Sequence, residues 1–261
     1  MTEEFYYVWI SLINYLDYNT FIKLISPLSF NLKNFYDVSI SKKKFYIYLV
    51  KNNITINNNV YNLLTDNKLK CMAIKLYKYV KSKDVFIVHP FKKLYKFLFK
   101  NNFNQNPVFF LYGNIELLKK KRYLVYSEKN SKEILEIQNM IIKQIKSKNN
   151  TLINFRTKDI LLNNQIIVDN ISNILKINLE NNNNLYIFIS GNLYYNVACM
   201  CDELILVNSK YKKEIALVID LLLEQGKEIS ILPNNILDKN AYFSNYLLSC
   251  GARAIYNLSD I

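Results

Sequence analysis

The chain is 261 residues long and 51% hydrophobic, with 34 Lys and Arg against 21 Asp and Glu and a formal net charge of +13. A chain of this length buries roughly 70–75% of the surface its unfolded form exposes, which supports one or two globular domains and excludes an intrinsically disordered polymer. The charge favours polyanion partners. Yet the lysine excess travels with abundant Asn and Tyr and only four glycines, the usage of an AT-rich genome, so position along the chain must decide which cations matter.

The apolar run Phe5–Ile13 follows Glu3 and Glu4, and Asn14 and Asp17 interrupt it well short of the ~20 residues of a membrane span. It reads as a core helix of a cytoplasmic protein without membrane association. Apolar residues then keep helical spacing through about Tyr79, for example Tyr7, Ile10, Leu12, Ile13 and Leu16, then Phe21, Leu24 and Ile25. Pro27 and the Asn clusters at 52–53 and 57–59 divide this stretch, and residues 1–80 are expected to form a small domain of several short helices.

After Lys81-Ser82-Lys83-Asp84 the pattern changes. Val85–Val88, Val108–Tyr112, Tyr123–Tyr126 and Thr151–Phe155 are short β-rich runs, with a helical stretch from Ser131 to about Lys146 between the last two. The alternation recurs as strand Glu203–Val207, helix Glu214–Gln225 closed by Gly226, strand Glu228–Leu232 stopped by Pro233, helix Ala241–Ser249 and strand Ala252–Tyr256. Strands alternating with helices predict an α/β layer with a parallel sheet over residues 81–261. The Asn-rich segment 178–184 reads as a surface loop.

The glycines Gly113, Gly191, Gly226 and Gly251 are too far apart for a dinucleotide fingerprint or a Walker loop, both of which need backbone at positive φ against phosphate. This excludes a P-loop NTPase and a conventional nicotinamide dehydrogenase. His89 is the only histidine, beside a predicted strand, so no Ser-His-Asp or Cys-His set is supported and a structural or surface role is expected. Cys71, Cys199, Cys201 and Cys250 hold no C-x-x-C pair and read as buried free thiols rather than metal ligands. No catalytic residue, cofactor or metal is expected.

Ligands of open α/β sheets sit beyond the carboxyl ends of the strands. Lys119-Lys120-Lys121-Arg122 precedes a strand and therefore falls at the wrong edge, where it reads as a solvated face. Three loops at the correct edge are basic: Lys129 and Lys132 after Tyr126, Arg156 and Lys158 after Phe155, and Lys210, Lys212 and Lys213 after Val207. Tyr194, Tyr195 and Tyr211 lie nearby in sequence, so cations for phosphates are interleaved with rings for bases, the requirement for binding single strands without sequence preference.

Asn106-Pro107-Val108-Phe109-Phe110-Leu111-Tyr112-Gly113-Asn114, followed by Leu117-Leu118, resembles the P-P-x-x-L-Y-x-x-G-N-x-x-L-L entry to the Rossmann-like domain of the DprA (Smf) family of DNA-processing proteins. Cys201-Asp202-Glu203-Leu204-Ile205-Leu206-Val207, Leu223-Glu224-Gln225-Gly226-Lys227, Leu232-Pro233-Asn234-Asn235-Ile236 and Asn245-Tyr246-Leu247-Leu248-Ser249-Cys250-Gly251-Ala252 are similar to later family motifs in the same order. The family's G-S-R turn stands here as Tyr126-Ser127-Glu128, keeping only Ser127. Its glycine-rich turn is replaced by Arg156-Thr157-Lys158-Asp159-Ile160, and its R-N-R by Leu193-Tyr194-Tyr195.

The resemblance implies a Rossmann-like, mostly parallel sheet with helices on both faces after a small helical domain of the SAM or helix-hairpin-helix kind. It also implies single-stranded DNA binding, self-association through the Rossmann-like domain as a homodimer, and loading of a RecA-type recombinase in natural transformation. Lys129, Arg156, Lys212 and Lys213 lie beside the lost positions and are expected to replace the missing contacts, against which Glu128 stands as a carboxylate at the same rim. The alternative is a scaffold that kept this fold and lost DNA.

Overall fold

The computed structural model describes residues 2–99, 106–128, 131–155, 163–176 and 183–261. In chain order its helices and strands are α1 (Glu3–Ser11), α2 (Tyr18–Ile25), α3 (Leu32–Ser39), α4 (Lys42–Lys51), α5 (Asn58–Leu64), α6 (Asn67–Ser82), β1 (Phe86–Val88), α7 (Lys93–Phe99) and β2 (Phe109–Gly113). They continue as β3 (Arg122–Ser127), α8 (Lys132–Ser147), β4 (Thr151–Phe155), β5 (Gln165–Asn170), β6 (Leu185–Ile189), α9 (Leu193–Met200), β7 (Glu203–Asn208), α10 (Lys213–Glu224), β8 (Glu228–Ile231), α11 (Tyr242–Ser249) and β9 (Arg253–Ala254). Two compact units result. One comprises Met1–Tyr112, Asp169–Glu180 and Tyr186–Leu193, the other Gly113–Val168, Asn181–Leu185 and Tyr194–Ile261.

In the first unit, short polar side chains set where each helix begins. Asp17, Asn31, Ser41, Asn57 and Asp66 accept backbone N–H bonds from Thr20, Asn34, Lys44, Asn59 and Lys68, at 2.8, 3.0, 3.4, 2.7 and 2.8 Å, and so start α2 to α6. Every residue of α1 from Phe5 to Ser11 is buried, as a helix apolar all round must be, and α1 packs against α3 and α6. The expected core helix is therefore found, and no helix among the described residues is long and apolar enough to cross a membrane. Strands β1 and β2 pair antiparallel, with Ile87 opposite Phe110.

Two ionisable groups of this unit are structural. The His89 ring stacks on Tyr7 at 3.9 Å and 9°, and burial together with the Lys92 charge pushes the imidazole down to about 4, so it is neutral at pH 7. Lys70 is buried under α1, donating to the Ser39 carbonyl at 2.8 Å and lying over Trp9 and Tyr36. Burial pushes its ammonium down to about 8, with Asp66 acting weakly the other way.

The second unit carries the strand order β5-β4-β3-β7-β8-β9, and each of its β4-β5, β3-β4, β3-β7, β7-β8 and β8-β9 pairs is parallel. Strand β7 is buried at all six positions, the mark of a sheet covered on both faces. On one face α8 places Ile134, Ile141 and Ile145 against Tyr123, Leu152, Ile205 and Val207. Gly226, at φ +64°, supplies the left-handed residue that closes α10 and turns the chain into β8. From β3 the chain steps outward to β4 and β5, then returns to lay β7 on the other side of β3. The boundary between β3 and β7 is thus the topological switch point.

The structure corrects two expectations here. Lys119–Arg122 does lie at the amino edge, but it is not uniformly solvated. Arg122 is 6% exposed and donates to Asp202 through Nε at 2.8 Å and Nη2 at 2.7 Å, while Lys121 pairs with buried Glu203 at 2.7 Å. Arg253 reaches Glu203 and Glu228 from β9 at 3.7 and 3.4 Å. Cations the sequence assigns to solvent are consumed by carboxylates on neighbouring strands, because parallel register brings the starts of β3, β7, β8 and β9 together. Among the cysteines Cys199 and Cys201 are buried, but Cys71, on the outer face of α6, and Cys250, in the turn that ends α11, are exposed.

Candidate nucleic-acid interface

The carboxyl end of the switch point is built from polar side chains that tie two loops together. Ser127 closes β3 in register with Asn208 and donates its hydroxyl to Asn208 Oδ1 at 2.7 Å. The Glu128 N–H donates to the same Oδ1 at 3.2 Å and to the Asn208 carbonyl at 3.1 Å. Beyond β7 the buried Ser209 donates its N–H to Ser244 Oγ at 2.7 Å, and its carbonyl accepts the N–H groups of Phe243 and Ser244 at 3.2 and 3.3 Å, which anchors the loop to the start of α11. Asn234 completes the brace, donating through Nδ2 to the carbonyls of Val207 and Leu232 at 2.7 and 2.6 Å.

Over this floor lies the Glu128 carboxylate. Its Oε2 accepts the Lys210 N–H at 3.0 Å and its Oε1 lies 3.2 Å from Lys212 Nζ. The carboxylate holds the Lys212 ammonium above the ordinary lysine range, and burial pushes the neighbouring Tyr126 phenol up in turn. The Glu128 side chain is 19% exposed against 49% for Lys212, so the acid is the inner member of the pair.

Of the residues that sequence pointed to, Ser127, Lys210 and Lys212 meet in this crevice. Lys132 and Lys213 are exposed at the first positions of α8 and α10, the helices that leave the same edge. Lys129, Arg156 and Lys158 lie outside the described residues. Tyr194 and Tyr195 are half-buried in the first turn of α9, and the Tyr194 ring packs on Phe155 at 4.7 Å and 51°. Tyr211 is the outward ring: it is 65% exposed and meets Phe243 only edge-on, at 5.4 Å and 88°.

Asn208, Ser209, Asn234 and Ser244 escaped sequence reasoning. Short polar residues after strands are common, and only the fold shows that these four share one floor. No group of three or more His, Cys, Asp or Glu able to hold a metal occurs among the described residues. What the set can do chemically is hold an anion: it offers a backbone N–H, a lysine ammonium beside it, further lysines around it and an aromatic face on the rim.

The fold has solved counterparts. DNA processing protein A (DprA) from Streptococcus pneumoniae aligns with a TM-score of 0.56 at 13% identity, over 86% of this chain and 94% of that one. DNA processing protein A from Helicobacter pylori, solved for its single-stranded DNA binding mode, aligns with a TM-score of 0.53 at 14% identity, over 67% of this chain and 93% of that one. No protein-family model and no curated protein sequence matches the chain. The fold is DprA-like, as the sequence motifs implied.

Proposed function

From the DprA-like fold and its basic carboxyl edge, we propose that this chain binds single-stranded DNA along that edge. In this reading it acts in the cytoplasm as a DprA-like recombination mediator, handing the strand to a RecA-type recombinase without catalysis of its own. The observation that carries the reading is the exposed sequence Lys210-Tyr211-Lys212-Lys213, held by a hydrogen-bonded floor beside the switch point. Lysines there neutralise phosphates and Tyr211 offers a face on which a base stacks. A homodimer through the Rossmann-like unit belongs to the same proposal. Ile236 and Leu237, 87% and 84% exposed, and Tyr242 and Tyr246, one turn apart on α11 and also exposed, are the apolar groups that such a contact would cover.

One observation favours the scaffold alternative: Glu128 already neutralises Lys212, so the crevice is less positive than the lysine count implies. Titration of the full chain with labelled oligothymidine at two salt concentrations decides between them. Binding that weakens as salt rises, by roughly 0.7 in log–log slope per phosphate neutralised, is the expected result. No binding at low salt, or binding indifferent to salt, would leave the scaffold reading standing.

A further inference from the structure

Glu128 is placed unlike a surface acid. Its backbone N–H is held by Asn208, so the side chain leaves a fixed point, and its two oxygens are shared between a backbone N–H and an ammonium. Those donors come from one loop, Lys210 to Lys212, which Ser209 fixes to α11 from below. A main-chain N–H and a lysine converging at the carboxyl ends of adjacent parallel strands form an arrangement suited to a phosphate oxygen.

We infer that the Glu128 carboxylate occupies the position a backbone phosphate would take, so that the free chain carries its own competing anion and DNA must displace it to reach Lys210 and Lys212. The inference rests on the proposed DNA-binding reading and specifies how that site is regulated. Displacement exchanges one charge-assisted contact for another, so the donors gain little net stabilisation from DNA while the carboxylate remains. Affinity of the unmodified chain then comes mainly from the outer lysines. Relief of the contact, by a substitution or by a partner that draws Glu128 away, opens a tighter mode.

The test compares the full chain with Glu128→Ala, Glu128→Gln, Lys212→Ala and the double variant Glu128→Ala/Lys212→Ala. Glu128→Ala should bind oligothymidine roughly fivefold to tenfold more tightly, the size expected when one ammonium about 4 Å from a phosphate in a largely aqueous rim is no longer neutralised by a carboxylate. Glu128→Gln should fall between it and the unmodified chain, and it carries the test if the Ala variant fails to fold. Measured against Lys212→Ala, the gain should shrink in the double variant, where only the Lys210 N–H is released. If it persists there undiminished, bulk charge alone is responsible and the inference is overturned.

A second measurement needs no DNA. Inorganic phosphate should shift the Lys210 amide resonance in Glu128→Ala and leave it unmoved in the unmodified chain; equal shifts, or none in either, refute the inference. Oligonucleotide binding that is unchanged by every Glu128 variant overturns this inference alone. Absence of oligonucleotide binding in all variants, with phosphate still moving the Lys210 amide in Glu128→Ala, overturns the DNA-binding reading and the regulation built on it, and leaves only the placement of Glu128 in an anion position.

Discussion

Replacement of Gly113 by Ala isolates the physical content of the Tyr112-Gly113-Asn114 motif. Gly113 has φ +105°, outside the range an L side chain adopts comfortably, and an added Cβ would fall well inside 3.0 Å of the Asn184 carbonyl oxygen and 3.2 Å from its carbon. That carbonyl cannot retreat easily. It accepts the Asn114 N–H at 3.0 Å, while the side chain of the same fully buried asparagine accepts the Gln165 N–H at 3.1 Å. Backbone strain contributes about 1–3 kcal/mol and overpacking about 1–3 kcal/mol more, for a loss of about 2–6 kcal/mol. At roughly 2–4 °C per kcal/mol for a chain of this size, the melting temperature should fall by about 4–24 °C.

Gly191→Ala supplies the control. Gly191 also has positive φ, +91°, but nothing lies within 4 Å of the added carbon, so only the strain remains. Thermal melts followed by circular dichroism, with urea midpoints at unchanged m, measure both variants. A Gly113→Ala loss no larger than that of Gly191→Ala would refute the close-approach argument.

Three further outcomes are expected. The folded-state pKa of Lys70, about 8, lies below its unfolded value of 10.5, so the unfolded chain holds the extra proton and stability should rise with pH across that window. In Lys70→Met this rise should be absent, so the difference between the two stability–pH curves should grow with pH across the window; parallel curves would show that Lys70 titrates normally. Aromatic disulfide reagents should label Cys71 and Cys250 in the folded chain and reach Cys199 and Cys201 only on unfolding, since both are buried and burial, above all, pushes the Cys201 thiol up to about 12; four thiols reacting at one rate would contradict the packing. Tyr211→Ala should weaken oligothymidine binding roughly fivefold or more, the value of one base stacked on an aromatic ring, whereas Tyr211→Phe should not; equal losses would place the contact at the hydroxyl instead.

Much of the fold was legible before any coordinates. The helical spacing of residues 5–79 pointed to several short helices, found as α1 to α6, and of the breaks named in the sequence Asn57 is a cap, while the caps Asp17, Asn31, Ser41 and Asp66 were not singled out as such. Strands β3, β4, β7 and β8 and helices α8, α10 and α11 lie within a few residues of their expected places. Helices α7 and α9 and strands β5 and β6 were not anticipated. Strand β6, Leu185–Ile189, is buried at all five positions, so it shows no alternation, and α9 is only eight residues long, with two tyrosines, an asparagine and a valine of modest helical propensity. The candidate site was half legible: topology alone sends the loops after β3 and β7 to one edge, but which ions remain available there is a matter of pairing.

By itself the sequence determined the helical character of the first 80 residues, the strand runs after them and the edge on which Lys210, Lys212 and Lys213 must emerge, because these follow from local periodicity and the direction of parallel strands. Only the tertiary structure decided that Arg122 is buried against Asp202, that Tyr194 packs on Phe155 while Tyr211 faces outward, and that Glu128 closes on Lys212. Those outcomes join residues 39 to more than 80 positions apart, and no local pattern encodes which neighbour a charge or ring will meet once strand register brings distant segments together.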